Sequence, residues 1–246
     1  MSNLFIEFYS EEIPARLQMS ASNNLKESIL KNLKLNDLTF GSTREFYGSK
    51  RIAACIENVS NKQSDSREEK RGPRADANKQ AIEGFARSFG VATSKLVIKE
   101  TQKGSFFFYT SNQKGRTIQE LLPNIINNII NNFPWSKSQK WGSGSLKWIR
   151  PLKNLTVLYD GKTVECKIGD GKLYLQSTNF TFGHSFLKKE KIFFRSHIDY
   201  VNKLKKGLVL VDPNIRKKEI SNQLNVISKK MSLSIIYDKF RSFNTK

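Results

Sequence analysis

Residues 155–168 read LTVLYDGKTVECKI, two runs rich in apolar and β-branched side chains around Asp160-Gly161. That dipeptide accepts the left-handed backbone of a two-residue turn, so the stretch predicts a β-hairpin. The same pattern recurs on either side of it. Val97–Thr101 and Ser105–Ser111 flank Lys103-Gly104, and Thr39–Tyr47 and Arg51–Val59 flank Gly48-Ser49. Leu4–Tyr9 alternates for part of its length and reads as a strand. The class predicted is α+β: mostly antiparallel sheets built from hairpins, with interspersed helices.

Helices fall between the hairpins. After Pro14, which suits a first turn, Leu17, Ala21, Leu25, Ile29 and Leu33 recur at helical spacing to about Lys34. Asp76 is placed to cap a helix with Ile82, Phe85, Ala86 and Phe89 on one face, stopped at Gly90. Thr117 and Glu120 form a capping box ahead of a wide stripe running from Ile118 to Phe133, in which Pro123 predicts a kink or a later start. Ser196 and Asp199 cap a short helix ending at Gly207, Leu208–Val211 reads as a strand, and Asp212-Pro213 opens a helix with Ile220, Leu224, Ile227 and Met231 on one face. Ser234–Tyr237 is a further strand candidate. The division expected is an N-terminal strand–helix–hairpin unit at 4–59, a polar and basic linker loop at 60–76, an α+β domain at 77–237 and a tail at 238–246.

Composition narrows the partners. The 246 residues carry 42 Lys+Arg against 22 Asp+Glu, a formal charge of +20, which points to a polyanion: nucleic acid or an anionic membrane surface. A plainer account is biased codon usage that scatters solvated lysines. The N-terminus has no basic segment followed by an apolar one, and no apolar run approaches the ~18 residues of a membrane span. Cys55 and Cys166 read as small buried side chains of a reducing compartment, so a cytoplasmic location is expected.

Catalytic patterns are missing. His184 and His197 lie far from each other and from the cysteines in sequence, without metal-ligand spacing. Gly142-Ser143-Gly144-Ser145 follows no strand and lacks the ending of a phosphate loop, and Gly169-Asp170-Gly171 reads as a turn. Neither Glu11-Glu12 nor Glu68-Glu69 has a spacing that argues for acid–base work. The chain alone is expected to be non-catalytic, with no cofactor of its own.

Between Glu120 and Asp160 there is no acidic residue, and Lys137, Lys140, Lys147, Arg150 and Lys153 interleave with Trp135, Trp141 and Trp148. Cations meet phosphates, and exposed indoles stack on unpaired bases. The alternative is that the tryptophans are core anchors and the lysines face solvent. A second basic cluster, Lys70, Arg71 and Arg74, surrounds Gly72-Pro73.

These residues also carry a resemblance. Residues 133–142 (FPWSKSQKWG) with 145–152 (SLKWIRPL), Leu4-Phe5-Ile6-Glu7 with Glu11-Glu12-Ile13-Pro14-Ala15, Lys70–Arg74 with 81–87 (AIEGFAR), and 179–186 (NFTFGHSF) occur in order. Together they resemble blocks of the beta subunit of the bacterial two-subunit glycyl-tRNA synthetase, covering residue 4 to about 220. The resemblance implies a subunit that binds tRNA(Gly) and assembles two alpha with two beta chains. ATP and magnesium are then expected at the alpha subunit, which activates glycine. The beta subunit's N-terminal region resembles in fold domains of the large subunit of phenylalanine synthetase, from which editing does not follow. Residues 46–53 (FYGSKRIA) keep the basic pair of a family segment but lack its Thr-Pro, and Ser185 stands where the family's His box has Arg. Family members continue into a helical HD-like region and an anticodon-binding domain, so the chain is expected to be a fragment, a split subunit or a partial sequence.

The tRNA-contacting residues expected are Lys50, Arg51, Arg71, Arg74, Lys137, Lys140, Trp141, Lys147 and Arg150. His184 is either a ligand contact or a structural residue. Two rival readings stay open: an interaction domain docking the alpha subunit without touching RNA, or a stand-alone RNA-binding module.

Overall fold

The computed structural model describes residues 2–141, 144–170 and 173–236. Strand β1 (Leu4–Ser10) is buried along its whole length, so both of its faces are covered. On one side Leu4, Ile6 and Phe8 enter the larger core; on the other Phe5 enters a second, aromatic-rich core. The strand was expected from its partial alternation. Its one acidic side chain, Glu7, is fully buried.

Helix α1 (Ala15–Leu35) starts after Pro14 and buries Ala21, Leu25, Ile29 and Leu33 of the predicted stripe, with Leu17 partly buried against the same core. Strands β2 (Thr43–Gly48) and β3 (Arg51–Ile56) form the predicted hairpin, with β2 starting later than Thr39.

Next comes a separate compact unit, Lys62–Thr117, inserted into one formed by Met1–Asn61 with Ile118–Lys246. It holds β4 (Ser66–Arg74), α2 (Lys79–Ser88), a single 3-10 turn, β5 (Val97–Thr101) and β6 (Gly104–Gln113), in sheet order β4-β6-β5. The stretch 60–76 was expected as a loop because it lacks apolar periodicity. Its larger part is a strand, since β4 draws its pairing from β6, where Phe106, Phe108 and Tyr109 lie opposite Arg74, Arg71 and Lys70. The helix is capped by Asn78, whose side chain accepts from the Ala81 amide, and not by Asp76, which pairs with Arg74 at 3.2 Å.

Helix α3 (Ile118–Asn131) returns the chain to the larger unit and runs through Pro123. Seven apolar side chains of α3 are buried, each worth about 1.5 kcal/mol or more, which outweighs the ~3 kcal/mol of an internal proline. Asn128 Nδ2 donates to Asn32 Oδ1 at 2.7 Å, tying α3 to α1. Two short strands, β7 (Gln139–Lys140) and β8 (Lys147–Trp148), pair with each other before β9 (Leu152–Tyr159) enters the main sheet.

The Asp160-Gly161 turn forms as predicted, both residues at positive φ (51° and 72°), and β10 (Lys162–Thr163) pairs back on β9. The second arm does not run on to Ile168 as one strand. Ser177 Oγ accepts from the Cys166 amide at 2.8 Å and donates to the Val164 carbonyl at 2.6 Å, drawing the chain away. Strand β11 (Lys167–Asp170) then pairs with β12 (Leu173–Thr178), which lies parallel to β9. Gly169 and Asp170, expected in a turn, are therefore in a strand; Gly171 lies outside the described residues, as do Gly142, Ser143, Tyr237 and the 238–246 tail.

Strands β13 (Phe180–Phe182) and β14 (Lys191–Phe193) form a small hairpin. Helix α4 (His197–Lys206) has Ser196 as its cap and Gly207 at its end, as predicted. Leu208–Val211 is not a strand, although Val211 is buried and its carbonyl accepts from Tyr47 N. Helix α5 (Pro213–Met231) buries none of its residues, and Ser234–Ile236 forms no strand. The main sheet runs β11-β12-β9-β1-β3-β2, with α1 and α3 covering one face and α4 the other.

Candidate functional site

At the end of β1 three chain segments are stitched together by backbone hydrogen bonds. Ser10 N donates to Lys50 O at 2.7 Å, Glu11 N to Pro151 O at 3.0 Å and Ile13 N to Ser49 O at 2.5 Å. The Glu11–Pro14 segment, the Gly48–Lys50 turn and the Arg150–Lys153 segment therefore share one rim of the central sheet. Glu11 sits between two cations: Lys153 pairs with it directly and Lys50 lies 3.9 Å away. The hydrogen bond from Lys153 holds the Glu11 carboxyl below its ordinary range. Arg150 Nε reaches the Glu12 carbonyl at 3.4 Å, and Glu12, Ser49 and Arg150 line an open cleft of about 740 Å³.

The His184 loop closes on the same rim. His184 N donates to Gly207 O at 2.8 Å, and its Nδ1 accepts from the amides of Phe186 and Leu187 at 3.3 and 3.2 Å. That ring is thus a loop brace, which favours the structural half of the expectation. A Cβ at Gly183 would meet Lys188 O at 2.5 Å, so the approach demands glycine. Ser185 and Lys189 join Tyr9, Lys50 and Lys153 around a neighbouring cleft.

The predicted residues divide clearly. Lys50 and Arg150 stand on this rim. Arg51, expected at the tRNA, is 3% exposed: its guanidinium donates to Thr181 Oγ1 at 3.0 Å and Phe182 O at 2.7 Å, and lies 3.7 Å from buried Glu7. A buried carboxylate needs a cation, and Arg51 is consumed in that role. Lys137, Lys140 and Lys147 are exposed and make no ion pair among the described residues. The β7–β8 register puts Lys140 directly opposite Lys147, an unfavourable like-charge pair that a bound anion would relieve. Trp148 is fully buried against Phe8, Phe133 and Trp135, and Trp141 packs partly buried on the same core, so the tryptophans are chiefly anchors. Arg71 and Arg74 belong to the inserted unit, Arg71 over the Phe106 ring and Arg74 paired with Asp76. Sequence reading missed Glu11 as the hub and Lys189; the Lys188-Lys189 pair just after the His box was the available signal.

One cluster has the residue types of a thiol nucleophile. Cys55 Sγ lies 3.4 Å from His197 Nδ1, and Glu57 is 3.9 Å from the other ring nitrogen. Burial pushes the Cys55 thiol up to about 12 and holds His197 below its ordinary value, so both stay neutral and this is a packing contact. Among the described residues no group of three or more His, Cys, Asp or Glu is placed to hold a metal, and no helix is long and apolar enough to cross a membrane.

The rim is made from segments that lie far apart in sequence, and those segments contain the blocks quoted above. A family model described as glycyl-tRNA synthetase beta subunit matches residues 4–240. The chain is similar to the glycine–tRNA ligase beta subunit of Paracoccus denitrificans (strain Pd 1222), 34% identical over 91% of this chain and 33% of that protein. It is similar to that of Cereibacter sphaeroides (strain ATCC 17029), at 34% over 97% of this chain and 34% of the relative. The same holds for Ruegeria sp. (strain TM1040), at 34% over 97% and 35%. The chain spans about a third of the length of these curated relatives. With the family model matching nearly end to end, the chain belongs to the glycyl-tRNA synthetase beta subunit family.

Proposed function

We propose that this chain is a non-catalytic tRNA-binding and assembly part of a glycine–tRNA ligase, supporting ATP-dependent attachment of glycine to tRNA(Gly) by an alpha subunit in the cytoplasm. In this reading ATP and magnesium belong to the alpha subunit, and two alpha and two beta chains form the complete enzyme. The observation that carries it is the cationic rim, where Lys50, Arg150 and Lys153 collect, together with Lys137, Lys140 and Lys147 of the same unit, which make no ion pair among the described residues. Phosphates are the natural counterions for such a surface.

A second reading, docking of the alpha subunit without RNA contact, is favoured by a different observation. Phe186 and Leu187 are 80% and 69% exposed beside the rim, and Ile220, Leu224 and Ile227 are exposed on α5. Size-exclusion chromatography of the chain with tRNA(Gly), with purified alpha subunit, and with both separates the readings. Co-elution with tRNA(Gly) and also with alpha subunit supports the first. Co-elution with alpha subunit but never with tRNA sinks it in favour of the second, and tRNA binding without alpha affinity leaves a free-standing RNA-binding module.

A further inference from the structure

In the inserted unit the strand registers decide which side chains share a face. Directly opposed residues point the same way, so Glu69 with Thr110, Arg71 with Phe108, Val97 with Phe108 and Lys99 with Phe106 all project from one side. The contacts agree. The Arg71 guanidinium lies 3.5 Å over the Phe106 ring centroid, the Lys99 ammonium 5.7 Å over Phe108, and Lys99 pairs with Glu69. Tyr109 projects from the opposite side, where it meets Phe89 at the end of α2 at 4.7 Å. Helix α2 thus serves the far face, and among the described residues of this unit no helix covers the near one. Val97 is 52% exposed and Arg71 is exposed.

This near face presents the half-buried Phe108 ring, with Phe106 8% exposed beneath the Arg71 guanidinium, edged with cations. Arg67, opposite Asn112, joins Arg71 and Lys99 on it, where Glu69 pairs with Lys99 and Arg74, opposite Phe106, pairs with Asp76. A nucleobase offers a π-face that stacks on a phenyl ring or a guanidinium plane, and its phosphate answers the surplus charge. A protein carboxylate could answer the same charge, but each nucleotide brings a phosphate and a flat π-face together.

We propose that this sheet face binds unpaired nucleotides of an RNA strand. One base stacks on Phe108 and another on the Arg71 plane that Phe106 supports, with phosphates on Arg67 and Lys99. The proposal takes its ligand class from the RNA-binding reading above but rests on a different surface.

The test is fluorescence anisotropy of the full chain with labelled oligo(A), and with an RNA duplex for comparison. Oligo(A) should bind more tightly than the duplex. Arg71→Ala and Phe108→Leu should each weaken it about tenfold, the loss of one stacked base. Arg71→Lys, which keeps the charge but not the plane, should weaken it almost as much. Unchanged far-ultraviolet dichroism guards against unfolding, and Arg71→Lys is mild enough to decide the matter if Phe108→Leu fails to fold. Wild-type oligo(A) affinity in both Arg71 variants overturns the proposal, as does tighter binding of duplex. Intact tRNA binding with no oligo(A) binding removes this site alone and leaves the rim reading standing. Protection of Val97 by alpha subunit but not by RNA makes the face a protein-docking surface instead, and also overturns the proposal.

Discussion

Glu7 sits at the centre of β1, fully buried, with Tyr200 donating to its Oε2 and Arg51 3.7 Å away, while its Oε1 has no hydrogen-bond partner among the described residues. Arg51 in turn holds Thr181 and Phe182, just ahead of the His184 loop. Removing the cation leaves a buried charge uncompensated, so Arg51→Met should cost about 3–5 kcal/mol in urea unfolding, and Glu7→Met/Arg51→Met should recover much of it. A loss within experimental error for Arg51→Met would mean the pair is idle. The thiols of Cys55 and Cys166 are both pushed by burial from 9.0 up to about 12, and burial raises Tyr200 as well. The folded chain keeps protons that the unfolded chain releases near pH 9. Their stabilisation is therefore complete below pH 9 and is lost as pH climbs from 9 toward 12. Thermal midpoints should fall steadily over that range. A disulfide reagent at mildly alkaline pH should label neither cysteine until the chain unfolds, and prompt labelling would contradict their burial.

At the scale of elements, α1, α3, α4 and the Asp160-Gly161 turn were legible because each carries a local signal: apolar residues at helical spacing, a Ser or Pro at the start, a dipeptide suited to positive φ. Strand β4 was not, since its sequence SREEKRGPR has no apolar residue and its order comes from β6 across the sheet. The rim was half legible. Lys50 and Arg150 were named from sequence, but the burial of Arg51 depends on Glu7 and Thr181, which only the fold brings near it. The turn also makes a sharp test. A Cβ at Gly161 would meet Arg195 O at 3.1 Å with φ at +72°. Gly161→Ala should therefore lower stability by about 1–2 kcal/mol, whereas Asp160→Asn should be nearly neutral by the same chemical denaturation.

For the whole molecule, both ends of the inserted unit meet: Lys62 bridges Thr117, and Ile118 N donates to Asn61 O at 2.9 Å. Replacing 63–116 by a short Gly-Ser link should leave a cooperatively unfolding protein, because the cores around β1 contain no residue of that unit. Loss of a cooperative thermal transition would show the two units to be interdependent. The formal charge of +20 would suit any polyanion, whereas the proposed function requires that particular cations of the larger unit meet tRNA phosphates. The most direct measurement is the salt dependence of tRNA(Gly) affinity for the wild-type chain and for Lys137→Glu/Lys140→Glu/Arg150→Glu. The account predicts weaker binding and a log–log slope shallower by roughly 2–3, one phosphate contact for each lost cation. An unchanged slope with unchanged affinity would contradict it.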